Sequence, residues 1–374
     1  MAVSQLPFTA GVFVLAIIAQ SLLVPITHGP DFVVWDLASR ATLKGINVYA
    51  HHPTGYLGGP YTYPPLFLYL ELPFQWLAER TGLSFNLLGK LPIVLGDWLT
   101  GAAIALFLAR RQCSDRRIAV GCAMYLLNPL VLYNGAFYGR FDTLCVGLFL
   151  WGLQEQPVGS WRFLGRYATA IGTKIFPVFL LPRLWVDARV DKGRLLIALL
   201  AIVGGLSLPY LIDSPVAFVS DVLLYNLNRD PSNLSWQIVL VRFLSPFALW
   251  MVGYGMLLLF GWVSLSLKRR DLYSASLIVI LAFFLLSKVL IEQYFLWVLP
   301  FLILAAVERR SWAAFFLFMV LSTAGMMSNH YIHPFGEQVL LLNVVVALSI
   351  AGYLFRVMRQ SAADEKKVIR ERAN

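Results

Sequence analysis

The sequence predicts an all-α polytopic membrane protein with about ten full spans, a broken hairpin and a large first exterior loop carrying interfacial helices. Three observations predict it. Hydrophobic residues fill 59% of 374 positions and charged residues 13%, against roughly 45–50% and 25% in soluble domains. Apolar runs of about 20 residues recur along the whole chain with no soluble domain between them. Most of the 30 Lys and Arg cluster in short loops on one side of the threading, while all 5 His fall on the other. One integral domain over residues 1–374 is expected.

The first run, PFTAGVFVLAIIAQSLLVPIT, has neither a basic leader nor a small-residue cleavage site, so it reads as a retained span near 8–27 rather than a signal peptide. Residues 28–88 then form the first exterior loop. Within it, Val34, Leu37, Ala38 and Ala41 follow helical spacing, as in an amphipathic helix at the interface. LFLYLELPFQWLA is too short to cross and carries Glu71 and Pro73, so it reads as an interfacial or re-entrant helix. Counting it as a span would place Arg110, Arg111, Arg116 and Arg117 on the same side as this loop.

Further spans are expected near 89–109, 117–134, 141–156, 194–212, 245–267, 272–291, 294–308, 311–328 and 337–357. Between the basic clusters at Arg162 and Arg183, a hairpin broken at Gly172 to Pro177 holds Lys174 inside the bundle, because irregular backbone at membrane depth survives only when enclosed or lining a wet cavity. The basic clusters and the tail 358–374 are cytoplasmic by the positive-inside rule. The net charge of +10 follows from that orientation and does not call for a nucleic-acid partner. Cys113, Cys122 and Cys145 have neither disulfide-framework nor metal-ligand spacing.

The chemistry-bearing residues concentrate on the exterior side. Asp31 stands at the start of the first interfacial helix, where it is either an N-cap or a partly desolvated base able to take a hydroxyl proton. Asp36 lies five residues on and shares its face poorly, so the two give weak support for a metal pair. YTYPPLFLYL places Tyr63 and two prolines at the entry of the re-entrant helix. Arg140 and Asp142, at a span end, either pair with each other or serve a site. Lys288 and Glu292 read either as an i,i+4 ion pair or, with Gln293 beside them, as a phosphate-binding cation and its neighbours. Arg229, Arg242, His330 and His333 could assist as substrate contacts. Lys90 and Asp97, on one span, suggest an internal pairing with no chemistry. No nucleotide-binding glycine loop, zinc-protease helix or serine-hydrolase elbow is present.

Six segments, DFVVWDLASRATLKGINVY, YTYPPLFLYL, GKLPIVLGDWLTG, LNPLVLYNGAFYGRFDTL, GTKIFPVFLLP and SKVLIEQYFLW, occur in an order that resembles the GT-C glycosyltransferases using lipid-phosphate sugars. The likeness is to the families of GPI mannosyltransferase I catalytic subunits and bacterial polyprenyl-phosphate-mannose mannosyltransferases. It implies a GT-C fold, an exterior active site, Asp31 as base, and Lys288 and Arg140 on the donor phosphate. It further implies a polyprenyl- or dolichyl-phosphate sugar as donor and a lipid-linked or glycan acceptor, with inversion. Gly-Pro-Asp stands where the GPI enzymes have Asp-x-Asp, so no cofactor is firmly implied. GRFDTL resembles a segment of related glucosyltransferases, which keeps glucose beside mannose as the transferred hexose. Nothing in the sequence speaks to an accessory subunit. The short loops and the lack of a retention signal favour the cytoplasmic membrane of a prokaryote over the ER. A transporter or lipid flippase is the competing class, and Lys174 on a broken helix is its pointer.

Overall fold

The computed structural model describes residues 6–52, 60–225, 229, 232–238, 243–267, 270–331 and 339–373. They form two compact units, residues 1–229 and 230–374. In the first unit, α1 (Pro7–Leu23) is followed by α2 (Pro30–Leu43), the single turn α3 (Val48–His51), α4 (Leu66–Thr81), the turn α5 (Phe85–Leu88) and α6 (Leu91–Arg110). Then come α7 (Asp115–Leu126), α8 (Pro129–Leu132) continued by a π-helical turn to Phe137, α9 (Asp142–Leu153) and α10 (Trp161–Thr173). The unit closes with α11 (Leu181–Trp185), α12 (Lys192–Leu199), α13 (Gly205–Asp213) and α14 (Pro215–Val219).

Helix starts carry their local signals. Proline occupies the first turn of α1, α2, α6 and α8, where its missing N–H is no loss. Asn128 caps α8 by accepting from the Leu130 amide at 2.8 Å, and Asp191 caps α12 through the Arg194 amide at 2.8 Å. The bundle stacks α1 on α7, α7 on α6, α6 on α9 and α9 on α10. The α6–α9 contact depends on glycine. A Cβ at Gly96 would sit 2.6 Å from the Leu144 backbone, and one at Gly147 would meet Thr100 Oγ1 at 2.8 Å. Such close backbone approach is how helices associate when lipid removes the hydrophobic drive between them.

The expected spans recur as helices, with physical amendments. Phe85–Arg110, Lys192–Asp213 and Leu341–Met358 have the length and hydropathy to cross a membrane, and Asp115–Leu126 with Pro129–Phe137 makes a pair bent by 46°. Shorter apolar stretches of 10–17 residues include Pro7–Leu23, Asp142–Leu153, Met251–Ser266 and Leu272–Leu286. The re-entrant candidate is α4, with Pro73 inside it and Gly82 closing it in the left-handed conformation. The hairpin break falls where expected: α10 stops at Thr173, Lys174 is extended at φ −153 and ψ 138, and a 3-10 turn runs from Phe176 to Leu180. Its loose carbonyls find donors, Tyr167 Oη on Pro177 at 2.9 Å and the Cys145 thiol on Ala170 at 3.1 Å. Cys145 thus contributes a hydrogen bond that its lone position in the sequence did not signal.

In the second unit, α15 (Pro246–Ser266) packs on α16 (Leu272–Leu286), α16 on α17 (Phe295–Arg309) and α19 (Val339–Ala373), and α17 on α18 (Trp312–Tyr331). Two residues at Ser232–Asn233 pair in parallel with Val289–Leu290, a small departure from the all-α expectation. The expected span 272–291 is helical only to Leu286. Beyond it the chain is extended, so the helical i,i+4 reading of Lys288 and Glu292 does not apply.

Two charges fix the first unit. Lys90, fully buried at the head of α6, donates to the carbonyls of Val24 at 3.0 Å, Phe137 at 2.8 Å and Thr27. Asp97 instead accepts from Gln20 Nε2 at 3.0 Å, and Gln20 Oε1 accepts from Trp98 Nε1 at 2.6 Å. The expected Lys90–Asp97 pairing is therefore replaced by two separate ties to α1 and the loop that follows it.

Replacing Lys90 by Met strips three carbonyls of their donor, each orphan costing about 1–3 kcal/mol, and is expected to lower the thermal midpoint of the purified protein strongly; an unchanged midpoint would contradict the clamp. A second expectation concerns Glu71. Burial, and then the charge of Asp36, raise its carboxyl well above the usual range, and neither oxygen has a hydrogen-bond partner among the described residues. The native state keeps this proton above pH about 4.3, where the unfolded chain has lost it, so the group removes stability as pH rises. Glu71→Gln should gain thermal stability over the parent as pH increases from about 4 to about 8, and a difference independent of pH would count against it.

Candidate functional site

The site is assembled where the loop after α8 is laid across the start of α2. Gly29, not Asp31, occupies the cap position of α2; Pro30 follows and Asp31 lies in the first turn, where a carboxylate faces the positive end of the helix dipole. The Gly29 amide donates to the Tyr138 carbonyl at 2.8 Å, and the Trp35 indole donates to the Gly139 carbonyl at 3.1 Å. Gly139 is at φ +80 with the Phe32 ring 2.3 Å from where a Cβ would stand, so only glycine fits there. Arg140 comes next. Its Nε donates to Asp31 Oδ2 at 2.8 Å and its Nη1 to Asn134 Oδ1 at 2.7 Å, while its own amide donates to the Asn134 carbonyl at 2.8 Å. The Asp31 side chain stays 33% exposed while Arg140 is 13% exposed. The arrangement is a carboxylate held in one orientation by a guanidinium and open to a ligand.

A second ion pair lies beyond Phe141. Arg140 turns to Asp31, whereas Asp142, at the start of α9, meets Lys174 Nζ at 2.7 Å, with both side chains buried. The Lys174 ammonium also sits over the rings of Tyr63 at 5.1 Å and Phe141 at 5.4 Å. Trp35 touches Tyr63, Phe67 and Phe141, and Phe67 stacks on Phe141 at 3.8 Å. The aromatic cluster thus joins α2, α4 and α9 behind both ion pairs. A buried pair of this kind is costly to break on one side only, which makes it a structural anchor for the Arg140 loop.

The remaining candidates have other partners or belong to the second unit. Asp36 pairs with Arg40 at 2.6 Å one turn along α2. Arg229 stacks over Tyr225 at 5.8 Å. Lys288 and Gln293 belong to the second unit; Gln293 is buried in a 3-10 turn with its Oε1 unpartnered among the described residues. His330 lies in α18, and its side chain, together with His333 and Arg242, falls outside the described residues. No group of three metal-ligating side chains occurs among the described residues. Asn134, the carbonyl partners of Lys90 and the partnership of Lys174 with Asp142 were missed by reading the sequence. The only signal for Lys174 was its place between Gly172 and Pro177.

Residues 61–292 match the model of glycosyltransferase family 87. The chain is 25% identical over 322 residues to GPI mannosyltransferase 1 of Gibberella zeae, covering 73% of this chain and 70% of that one. It is 22% identical over 306 residues to GPI mannosyltransferase 1 of Candida albicans, covering 73% of each. Its fold resembles the crystal structure of ArnT from Cupriavidus metallidurans bound to undecaprenyl phosphate, with TM-score 0.56 and 16% identity over 93% of this chain and 76% of that one. A multi-pass helical membrane fold, a family model over more than half the chain and relatives that are mannosyltransferases converge: this chain is a membrane glycosyltransferase and belongs to glycosyltransferase family 87.

Proposed function

We propose that the protein transfers mannose from a polyprenyl- or dolichyl-phosphate donor to a lipid-linked or glycan acceptor on the exterior face of its membrane. The observation that carries this reading is the part-exposed Asp31 carboxylate held by Arg140 at the start of α2. The mannosyltransferase relatives support the sugar, and the undecaprenyl phosphate bound to ArnT supports the class of donor. Short loops favour the cytoplasmic membrane of a prokaryote.

In this mechanism Asp31 accepts the proton of an acceptor hydroxyl as its oxygen attacks the anomeric carbon. The bond from that carbon to the phosphate oxygen breaks on the opposite face, and its electron pair leaves with the lipid phosphate. The leaving group is already a stable anion, so no acid is required. Arg140, which orients the carboxylate, supplies positive charge to the departing phosphate. Tyr63 and Arg229 are proposed substrate contacts. Asp142 acts by holding Lys174, and so the loop that carries Arg140, rather than by touching the sugar. That pairing also accounts for the intramembrane ammonium without invoking transport.

Purified protein in liposomes, given radiolabelled polyprenyl-phosphate mannose or glucose and a lipid acceptor extract, should transfer mannose. Asp31→Asn keeps an acceptor for Arg140 but is no base, and should lose roughly 10² to 10⁴ of the rate with an unchanged melting point; a fully active variant removes Asp31 from the mechanism. Arg140→Gln should lower turnover by about 10² to 10³, and undiminished turnover would assign the guanidinium to structure alone.

A further inference from the structure

Arg140 is gripped twice by one residue. Its backbone amide donates to the Asn134 carbonyl at 2.8 Å, and its side chain folds back so that Nη1 donates to Asn134 Oδ1 at 2.7 Å. Its Nε reaches Asp31 Oδ2 at 2.8 Å. Nε and Nη1 donate from different edges of the planar guanidinium, so the two side-chain bonds together fix the rotation of that plane. The Tyr138 ring adds a third contact, with its centroid 5.4 Å from the guanidinium carbon. The reaction proposed above leaves Asn134 without a role.

Asn134 is itself held in place. It is fully buried in the π-helical turn Tyr133–Phe137, an irregularity frequently found at functional sites. Its neighbours in the turn are tied down as well: a Cβ at Gly135 would stand 2.5 Å from Asp97 Oδ2, and the Phe137 carbonyl accepts from Lys90 Nζ at 2.8 Å. The Asn134 amide has one orientation. Nδ2 donates to the Leu130 carbonyl, one turn back, at 2.8 Å, which turns Oδ1 to Arg140.

A purely local role, in which a buried amide ties off its own helical turn, needs only Nδ2. A serine would do as much through a hydroxyl bond to the carbonyl four residues back. Oδ1 is the part that such a role leaves over. The position asks for a donor to Leu130 and an uncharged acceptor for Arg140 on one short side chain. A carboxylate would set an oxygen against the Leu130 carbonyl and compete with Asp31 for the charge of Arg140, whereas a carboxamide meets both demands. We propose that Asn134 is a positioning residue, which sets the Arg140 guanidinium on Asp31 and so orients the carboxylate for the acceptor hydroxyl. The kinetic consequence rests on the transferase reading; the hold on Arg140 is read without turnover.

The deciding variant is Asn134→Ser in the detergent-solubilised full chain, which keeps a donor for Leu130 and removes the acceptor for Arg140. Its melting point should stay close to that of wild type. In protein carrying isotope-labelled arginine, the Arg140 Nε–H resonance, identified by its loss in Arg140→Gln, should exchange with water at least about tenfold faster in Asn134→Ser. In the transfer assay kcat should fall by about 10- to 100-fold with both KM values nearly unchanged, as expected when a catalytic group is misplaced by a fraction of its reach. Added to Arg140→Gln, Asn134→Ser should deepen the loss by less than about twofold, because it acts through Arg140; a side chain that merely supports the fold would multiply its full effect. Should Asn134→Ser melt well below wild type, Asn134→Thr, which keeps the hydroxyl and fills more of the volume, takes its place. Unchanged Nε–H exchange, full turnover of the variant, or a loss that multiplies in the double variant overturns the proposal. If exchange quickens but wild type transfers from no donor, the transferase reading fails and the hold on Arg140 stands. If wild type transfers and the variant does so equally well, the transferase reading stands and the positioning role fails.

Discussion

A single buried ammonium holds together the two chain segments that meet at the candidate site. Lys90 Nζ takes the carbonyls of Val24 and Thr27, at the end of α1 and just before α2, and that of Phe137, just before the Arg140 loop. These are carbonyls left unpaired where helices end, and an ammonium with three donors satisfies all of them at once. The consequence is positional. Asp31 begins four residues after Thr27, and Arg140 lies three residues after Phe137, so the clamp limits how far the carboxylate and the guanidinium can drift. Gly29, Gly139 and Trp35 then finish the register by direct contact between the loop and α2.

Behind this register the aromatic cluster and the Asp142–Lys174 pair form a second layer. Arg140 and Asp142 flank Phe141, whose ring stacks on Phe67 from α4, so the short segment 140–142 is fixed by three different interactions in three residues. The candidate site is thereby held by packed helix ends rather than by a free loop, as a site requiring sub-ångström placement demands. The two faces of α2 differ: Asp31 and Trp35 meet the loop that carries Arg140, while Asp36 and Arg40 pair with each other.

Much of this was legible in the sequence, for reasons that differ by element. Long apolar runs located α1, α6, α15 and α18, because a membrane span imposes its length on the sequence. The short length, Glu71 and Pro73 separated α4 from the spans. Asp31 and Arg140 could each be singled out as ionisable groups at helix ends, but their partnership joins residues 109 apart in sequence and depends on how α2 meets the loop after α8. The same holds for Lys90, whose partners are backbone carbonyls and leave no trace in residue identity. At Lys288, hydrophobicity extended the expected helix too far; an edge-to-edge pairing with Ser232–Asn233 ends it instead.

The proposed reaction is direct displacement at the anomeric carbon by a hydroxyl that Asp31 deprotonates, with phosphate leaving from the opposite face. The most direct test is the anomeric configuration of the product, read by NMR coupling constants after transfer from a lipid-phosphate mannose donor of known configuration. Direct displacement predicts the inverted configuration in every product molecule. Retention would require a second displacement or a covalent sugar intermediate, and would contradict the role assigned to Asp31.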